Sequence, residues 1–348
     1  MELEAQLLIA CGDGNVDEVT TLLQNLQVNI NCKDRSNDNR TPLDYACRLG
    51  HIEIVKLLLN DQRIDVNQGN RNGATPFYIA CQQGHLDIVK LLLFDERVDV
   101  NKVNQDGWSP LFVACINRRF DIVKFLLNDI RIDVNKDGKY GWTPIWITCL
   151  SGRIEIVKLL LNHGGVDVNK PNKLGQTAFH VACQQGHLDV VKLLLNHERV
   201  DMSELNNDGQ TAFHVACQNG HLGVVKLLLN DKTVDSKKVN YLGQTPFYIA
   251  CQQGHIKVME YLLASENEVN INENDNEGKT VIGIAKEKGN KEKGKEIWES
   301  EKEFQERIRY YEKIIELLES YGSNKNQTRT KLRIKFGLTC KFFKTIFL

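Results

Sequence analysis

No stretch of the 348 residues is long and apolar enough to cross a membrane as a helix. No CxxC pair is present, so the spacing that metal-binding and redox cysteines use is missing. Equally absent are a Gly-rich phosphate loop, an HExxH and a G-x-S-x-G, which removes the common signatures of phosphoryl transfer, zinc hydrolysis and acyl transfer. The opening, MELEAQLLIACGDG, has no positive charge ahead of its apolar residues, which argues against a secretory leader. A large net charge is absent as well, the net being -1. That figure hides an asymmetry. Residues 323–348 carry seven Lys or Arg and no acid, which leaves the rest of the chain at -8. With 42% hydrophobic and 26% charged residues, the composition is that of an ordered protein.

What the chain does have is repetition. Thr41, Thr75, Ser109, Thr143, Thr177, Thr211 and Thr245 stand 34 residues apart, and Thr280 follows after 35. Around them the chain reads TPLDYACRLGH, TPFYIACQQGH, SPLFVACINRR, TPIWITCLSGR, TAFHVACQQGH, TAFHVACQNGH and TPFYIACQQGH. A period of this length fixes architecture before any local signal does. Each copy predicts two helices. Thr75 caps the first, Pro76 occupies its first position, and Phe77, Ala80 and Cys81 form one apolar stripe. Gly84 ends it. Leu86, Ile88, Val89, Leu92 and Leu93 predict a second helix over 86–93, with Asp87 and Lys90 left for solvent. The link DERVDVNKVNQDG suits a hairpin-like finger.

These motifs resemble the ankyrin repeat, over roughly residues 2–322. The resemblance implies an all-α solenoid of helix-turn-helix units with short β-hairpin fingers, about nine repeats including degenerate end caps. The expected divisions are a degenerate N-terminal cap (1–34), seven full repeats (35–275), an irregular last repeat with a helical insertion (276–322) and a basic, Phe-rich tail (323–348). Full repeats are numbered here from the copy that contains Thr41.

Eight of the ten cysteines (Cys11, Cys47, Cys81, Cys115, Cys149, Cys183, Cys217, Cys251) share one slot. Neighbouring helices pack about 8–10 Å apart, beyond the roughly 7 Å a disulfide tolerates. They read as small core residues of a protein kept in a reducing compartment, the cytosol. His51, His85, His187, His221 and His255 all fall in the Gly-His slot, which the resemblance makes structural. His180 and His214 match the family's Thr-Pro-Leu-His. No catalytic residue, cofactor or metal is expected.

The last repeat breaks register. Apolar residues from Ile297 to Leu318 predict an amphipathic helix of five or six turns, read as a lid on the stack or as a short self-association handle. The tail is read either as disordered, as folded back on the acidic stack, or as lying on an acidic membrane surface. Nucleic acid is disfavoured by so weak a basic footprint.

Function is expected at the exposed positions that vary. Full repeats three and four depart from the rest. Arg118 and Arg119 replace Gly-His, and Arg153 replaces a His. The same repeats hold Trp108, Trp142 and Trp146, three of the four tryptophans, with Tyr140 and Phe112 nearby. Phe112 and Trp146 sit in the family's structural His slot and read as core. Trp, Tyr and Arg dominate binding energy at protein interfaces. The expected partner site is therefore Trp108, Trp142, Tyr140, Ile116, Asn117, Leu150, Ser151, Arg118, Arg119 and Arg153. The alternative is that these side chains pack between fingers. The chain is expected to be a monomeric, non-catalytic scaffold or adaptor that binds a protein through its concave face. A membrane tether using the tail, and an inhibitor that occludes a partner's active site, are the alternatives.

Overall fold

The computed structural model describes residues 2–231, 233–265, 269–290 and 300–338. The chain divides into two compact units, Met1–Lys173 and Leu174–Leu348. In the first unit the helices are α1 (Glu2–Asp13), α2 (Val16–Gln24), α3 (Pro42–Leu49), α4 (Ile52–Asn60), α5 (Pro76–Gln83), α6 (Leu86–Leu93), α7 (Pro110–Ile116), α8 (Phe120–Leu126), α9 (Pro144–Leu150) and α10 (Ile154–Asn162). Each odd-numbered helix packs on the next odd one and each even helix on the next even one, which makes two layers of short helices. Thr41, Thr75, Ser109 and Thr143 each accept the N–H three residues on, as an N-cap does. Phe77, Ala80, Cys81, Val89 and Leu92 are completely buried. Each buried aliphatic or aromatic side chain of this size contributes about 1.5–3 kcal/mol by leaving water.

The fingers differ from the expected hairpins. Among the described residues the only β-bridges are isolated ones, Asp34 with Arg40 and Asn274 with Thr280. A side chain closes the fingers that carry Asn at the slot of Asn70, whereas the finger with Gly138 is closed by backbone bonds alone. Asn70 Oδ1 accepts the N–H groups of Asn72 and Ala74, and Asn104 Oδ1 those of Asp106 and Trp108. Such an Asx turn needs no partner strand. One backbone bond then ties finger to finger, as from Gln105 N–H to Asn72 O and from Lys139 N–H to Asp106 O.

Two further devices join neighbouring repeats. The Asn of each Asp-Val-Asn exit spans to the next copy. Asn67 Nδ2 donates to Arg97 O and its Oδ1 accepts from Asp99 N–H, while Asn101 does the same with Arg131 and Asp133. The second device compensates for the missing Gly after the second helix. Arg63, Arg97 and Arg131 donate to the carbonyls of Leu23, Leu59 and Leu93, which lie at the ends of α2, α4 and α6. Each guanidinium is held by an Asp two residues before it, Asp61, Asp95 or Asp129. These orphan helix-end carbonyls would otherwise need water.

The second unit has α11 (Ala178–Gln185), α12 (Leu188–Leu195), α13 (Ala212–Gln218), α14 (Leu222–Leu229), α15 (Pro246–Gln252), α16 (Ile256–Ala264), α17 (Val281–Lys288), α18 (Glu301–Ser323) and α19 (Lys325–Lys335). The long terminal helix therefore starts and ends later than the expected Ile297–Leu318. Ser300 and Glu303 form a reciprocal capping box that sets its start, and Ile297 lies outside the described residues. α18 packs on α16 and α17 as the second helix of the last repeat. Residues 325–335 of the tail fold back as α19 onto α16. Thr328 and Leu332 are buried, Lys335 pairs with Glu260 at 2.6 Å, and Phe336 meets Tyr261 edge-on at 5.4 Å. No helix among the described residues is long and apolar enough to cross a membrane.

The arginine bonds to helix-end carbonyls can be tested by substitution. Arg97→Ala should lower the urea unfolding free energy by about 1 kcal/mol, the worth of a hydrogen bond to an otherwise orphaned carbonyl. The Arg97 guanidinium holds the Asp95 carboxyl below its usual range. The ion-pair share of the loss should thus be full above about pH 4 and fade as pH falls and Asp95 protonates.

Candidate partner-binding surface

The expected site residues occupy both ends of the first helices of full repeats three and four. Trp108 and Trp142 end their fingers, one residue before the caps of α7 and α9. Both are half-buried. Trp108 stacks on Phe112 with centroids 5.3 Å apart and lies over the next finger. Its Cδ1 comes 2.9 Å from where a Cβ on Gly138 would stand, so only glycine fits there. Gly138 holds the position that Asn104 and Asn70 hold in earlier fingers. The indole nitrogen of Trp108 is buried without a hydrogen-bond acceptor. Trp142 lies flat on Trp146, 5.2 Å away with planes 2° apart, and Tyr140 lies against Trp142, tilted by 35°, at 4.9 Å. This run of rings passes from solvent to core, from Tyr140, 49% exposed, to Trp146, 4% exposed. Phe112 is also buried. The two expected readings, contact and packing, are thus joined in the same side chains.

At the other end of the helices stand Ile116, Asn117, Leu150 and Ser151, followed by the arginines. Ile116, Leu150 and Ser151 are half-buried, and Asn117 is exposed with its amide bonded to Val113 O at 2.9 Å. About 10 Å of helix separates them from the tryptophans. Arg119 is half-buried and donates from Nε to Gln82 O at 3.0 Å. His51 and His85 make the same bond from the same slot, to Gly12 O and Arg48 O. Arg119 therefore has a structural task that accounts for it. Arg118 and Arg153 do not share this bond. Arg118 is exposed and has φ +60°, in the left-handed region where the other full repeats place glycine. Arg153 is half-buried, and burial followed by repulsion from Arg118 lowers its pKa.

One charged cluster was not singled out from the sequence. Asp44 is 1% exposed, and neither carboxylate oxygen has a hydrogen-bond partner. Burial raises its pKa to about 6, against the pull of Arg48 and Arg40. The available signal was an acid in the slot filled elsewhere by Tyr, Phe, Trp or His, flanked by arginine four residues to either side.

The recurring Cys-His pairs are built into the scaffold. Cys81 is fully buried, burial pushes its thiol well above the usual range, and His85 is bonded to Arg48 O. His180 and His214 complete capping boxes with Thr177 and Thr211. Burial lowers the His214 pKa to about 4, so it stays neutral. Among the described residues no group of three or more His, Cys, Asp or Glu could hold a metal ion.

Two substitutions test these environments. Arg118→Gly should raise stability by about 0.5–1 kcal/mol in urea melts, because glycine enters the left-handed region without the steric cost an L-residue bears. Asp44→Asn should stabilise by about 1–2 kcal/mol at pH 7.5. The native state binds the Asp44 proton more tightly than the unfolded chain does. Wild-type stability therefore falls as pH rises from about 4 to 6, and the advantage of the Asn variant should close below about pH 4.

Comparison with known proteins bears on the whole array. A family model described as ankyrin repeats (3 copies) matches residues 4–70, 62–138, 78–172, 131–205, 164–240, 198–275 and 232–307. Human oxysterol-binding protein-related protein 1 is 45% identical over 65 residues, 17% of this chain and 7% of that protein. The chain thus spans only a small part of that relative's length. On the overlapping matches from residue 4 to 307, the chain belongs to the ankyrin repeat family.

Proposed function

We propose that this protein is a non-catalytic protein-interaction scaffold or adaptor. Its partner lies on the first-helix face and finger bases of full repeats three and four, within the first unit. The observation that carries the reading is the pair of half-buried tryptophans, each braced from below by a buried ring. A ring fixed in this way loses little conformational freedom on binding and offers a large apolar face, which is the character of an interface hot spot. Family membership supports the coarse reading, because ankyrin repeats generally mediate protein–protein contacts. The match to the human relative is about two repeats long, so it carries the repeat and no sterol chemistry. We place the protein in the cytosol, because its free, buried thiols suit a reducing compartment.

The described part of the tail is committed elsewhere. α19 spends Leu332, Lys335 and the adjoining Phe336 on α16, so the scaffold reading takes precedence over a membrane tether.

The Trp108→Ala, Trp142→Ala double variant decides between contact and packing. Co-precipitated partners should be lost while the melting temperature falls by only a few degrees, from the loss of stacking. Unchanged partners would remove this surface from consideration, and a collapse of the fold would make the rings purely structural.

A further inference from the structure

The first-helix face of full repeats one to four is one-sided in charge. From full repeat one to four, its helices α3, α5, α7 and α9 contain one acid, Asp44, and it is buried. The basic groups at the same face are Arg40, Arg48, Arg118 and Arg153, besides Arg119 with its structural bond. Acids are found instead on the opposite layer, where each of three faces its own lysine: Glu53 with Lys56, Asp87 with Lys90 and Glu155 with Lys158. The fingertips carry both signs, and Asp137 there is paired with Lys170 at 2.8 Å.

Two features make the arginines more than a solvated fringe. Arg118 holds a left-handed backbone that glycine holds in the other full repeats, a costly choice for a residue without a task. Arg153, half-buried, faces the like charge of Arg118, and its Nε is buried without an acceptor. An incoming carboxylate beside the two guanidinium groups would relieve the repulsion.

We infer that the segment bound by this face is an acidic peptide stretch of the partner, with apolar side chains set among its carboxylates. This rests on the proposed binding face and names its ligand class. Carboxylates meet Arg118 and Arg153, and an apolar side chain meets Trp108 and Trp142. The two ends of the helices lie about 10 Å apart, so the two kinds of anchor stand about three residues apart on an extended segment.

The test uses the full chain and fluorescein-labelled 12-residue peptides read by anisotropy. One alternates pairs of Glu with Leu or Phe, a second replaces Glu by Lys, and a third replaces Leu and Phe by Ser. Only the first should bind, and added salt should weaken it. The Arg118→Gly, Arg153→His variant restores residues that the same slots hold in other repeats, so its fold is safe. It should weaken binding about tenfold or more, the effect of losing charge-assisted hydrogen bonds. Equal binding of the Lys peptide, or indifference to this variant, would overturn the inference.

A random-peptide display selection on the same chain separates the two levels of the argument. Selected peptides that depend on Trp108 and Trp142 but show no excess of Asp and Glu would leave the proposed face standing and refute the acidic ligand. Failure to select any peptide that depends on the tryptophans would refute both.

Discussion

A helix of eight residues cannot satisfy its own backbone. Its first four N–H groups and last four carbonyls have no partner within it, and those are half of its backbone polar groups. Everything else in this fold follows from how the neighbouring copy supplies what is missing. His51, His85, His221 and His255 each reach back to the carbonyl end of the preceding first helix. Arg63, Arg97 and Arg131 do the same for the preceding second helix. The asparagines of the exit turns join backbone to backbone across the same gap. A single copy would leave these groups to water, and so would any end of the array without a lid.

This dependence explains which residues vary and which do not. Where the His slot serves the neighbour its side chain makes this bond, and Arg119 keeps the duty because its Nε makes it. Arg118 and Arg153 lie in the slots of the same two repeats and make no such bond, so their presence calls for another explanation. Charge at the first-helix face of full repeats one to four is free of that duty, and there the charges outside the core are cations while Glu53, Asp87 and Glu155 lie on the other layer. The aromatic residues follow the same division. Phe112 and Trp146 fill the core beneath, and the half-buried Trp108 and Trp142 rest on them.

Much of this was legible in the letters because it recurs. The Thr caps, the Cys slot and the limits of α6 could be read by laying one copy over another. The devices that escaped notice are those whose residues look like ordinary loop. Asn67 and Asn101 sit in polar links where any Asn would pass unremarked, and their two-ended bonds appear only when the copies are stacked. The fingers were expected to be hairpins because Val-Asp-Val favours strands, yet Asn70 and Asn104 close them with a side chain. Arg118, Arg119 and Arg153 formed a single group in sequence, since identity alone cannot tell a guanidinium bonded to a carbonyl from one that is not. The terminal helix was displaced because residues 291–299 interrupt the period, and Ser300 with Glu303 supplied a start signal that apolar spacing does not report.

Tyr311 takes the place of the missing histidine at the end of the second unit. Its hydroxyl donates to Gln252 O at 2.6 Å, from a residue 59 positions further along the chain. The bond copies what the Gly-His slot does elsewhere, but it is delivered by a helix with its own independent start. Closure is therefore uncoupled from the count of modules. Copies can be gained or lost by duplication upstream while the terminator needs to recognise only the last of them, which leaves array length open to evolutionary change at little structural cost.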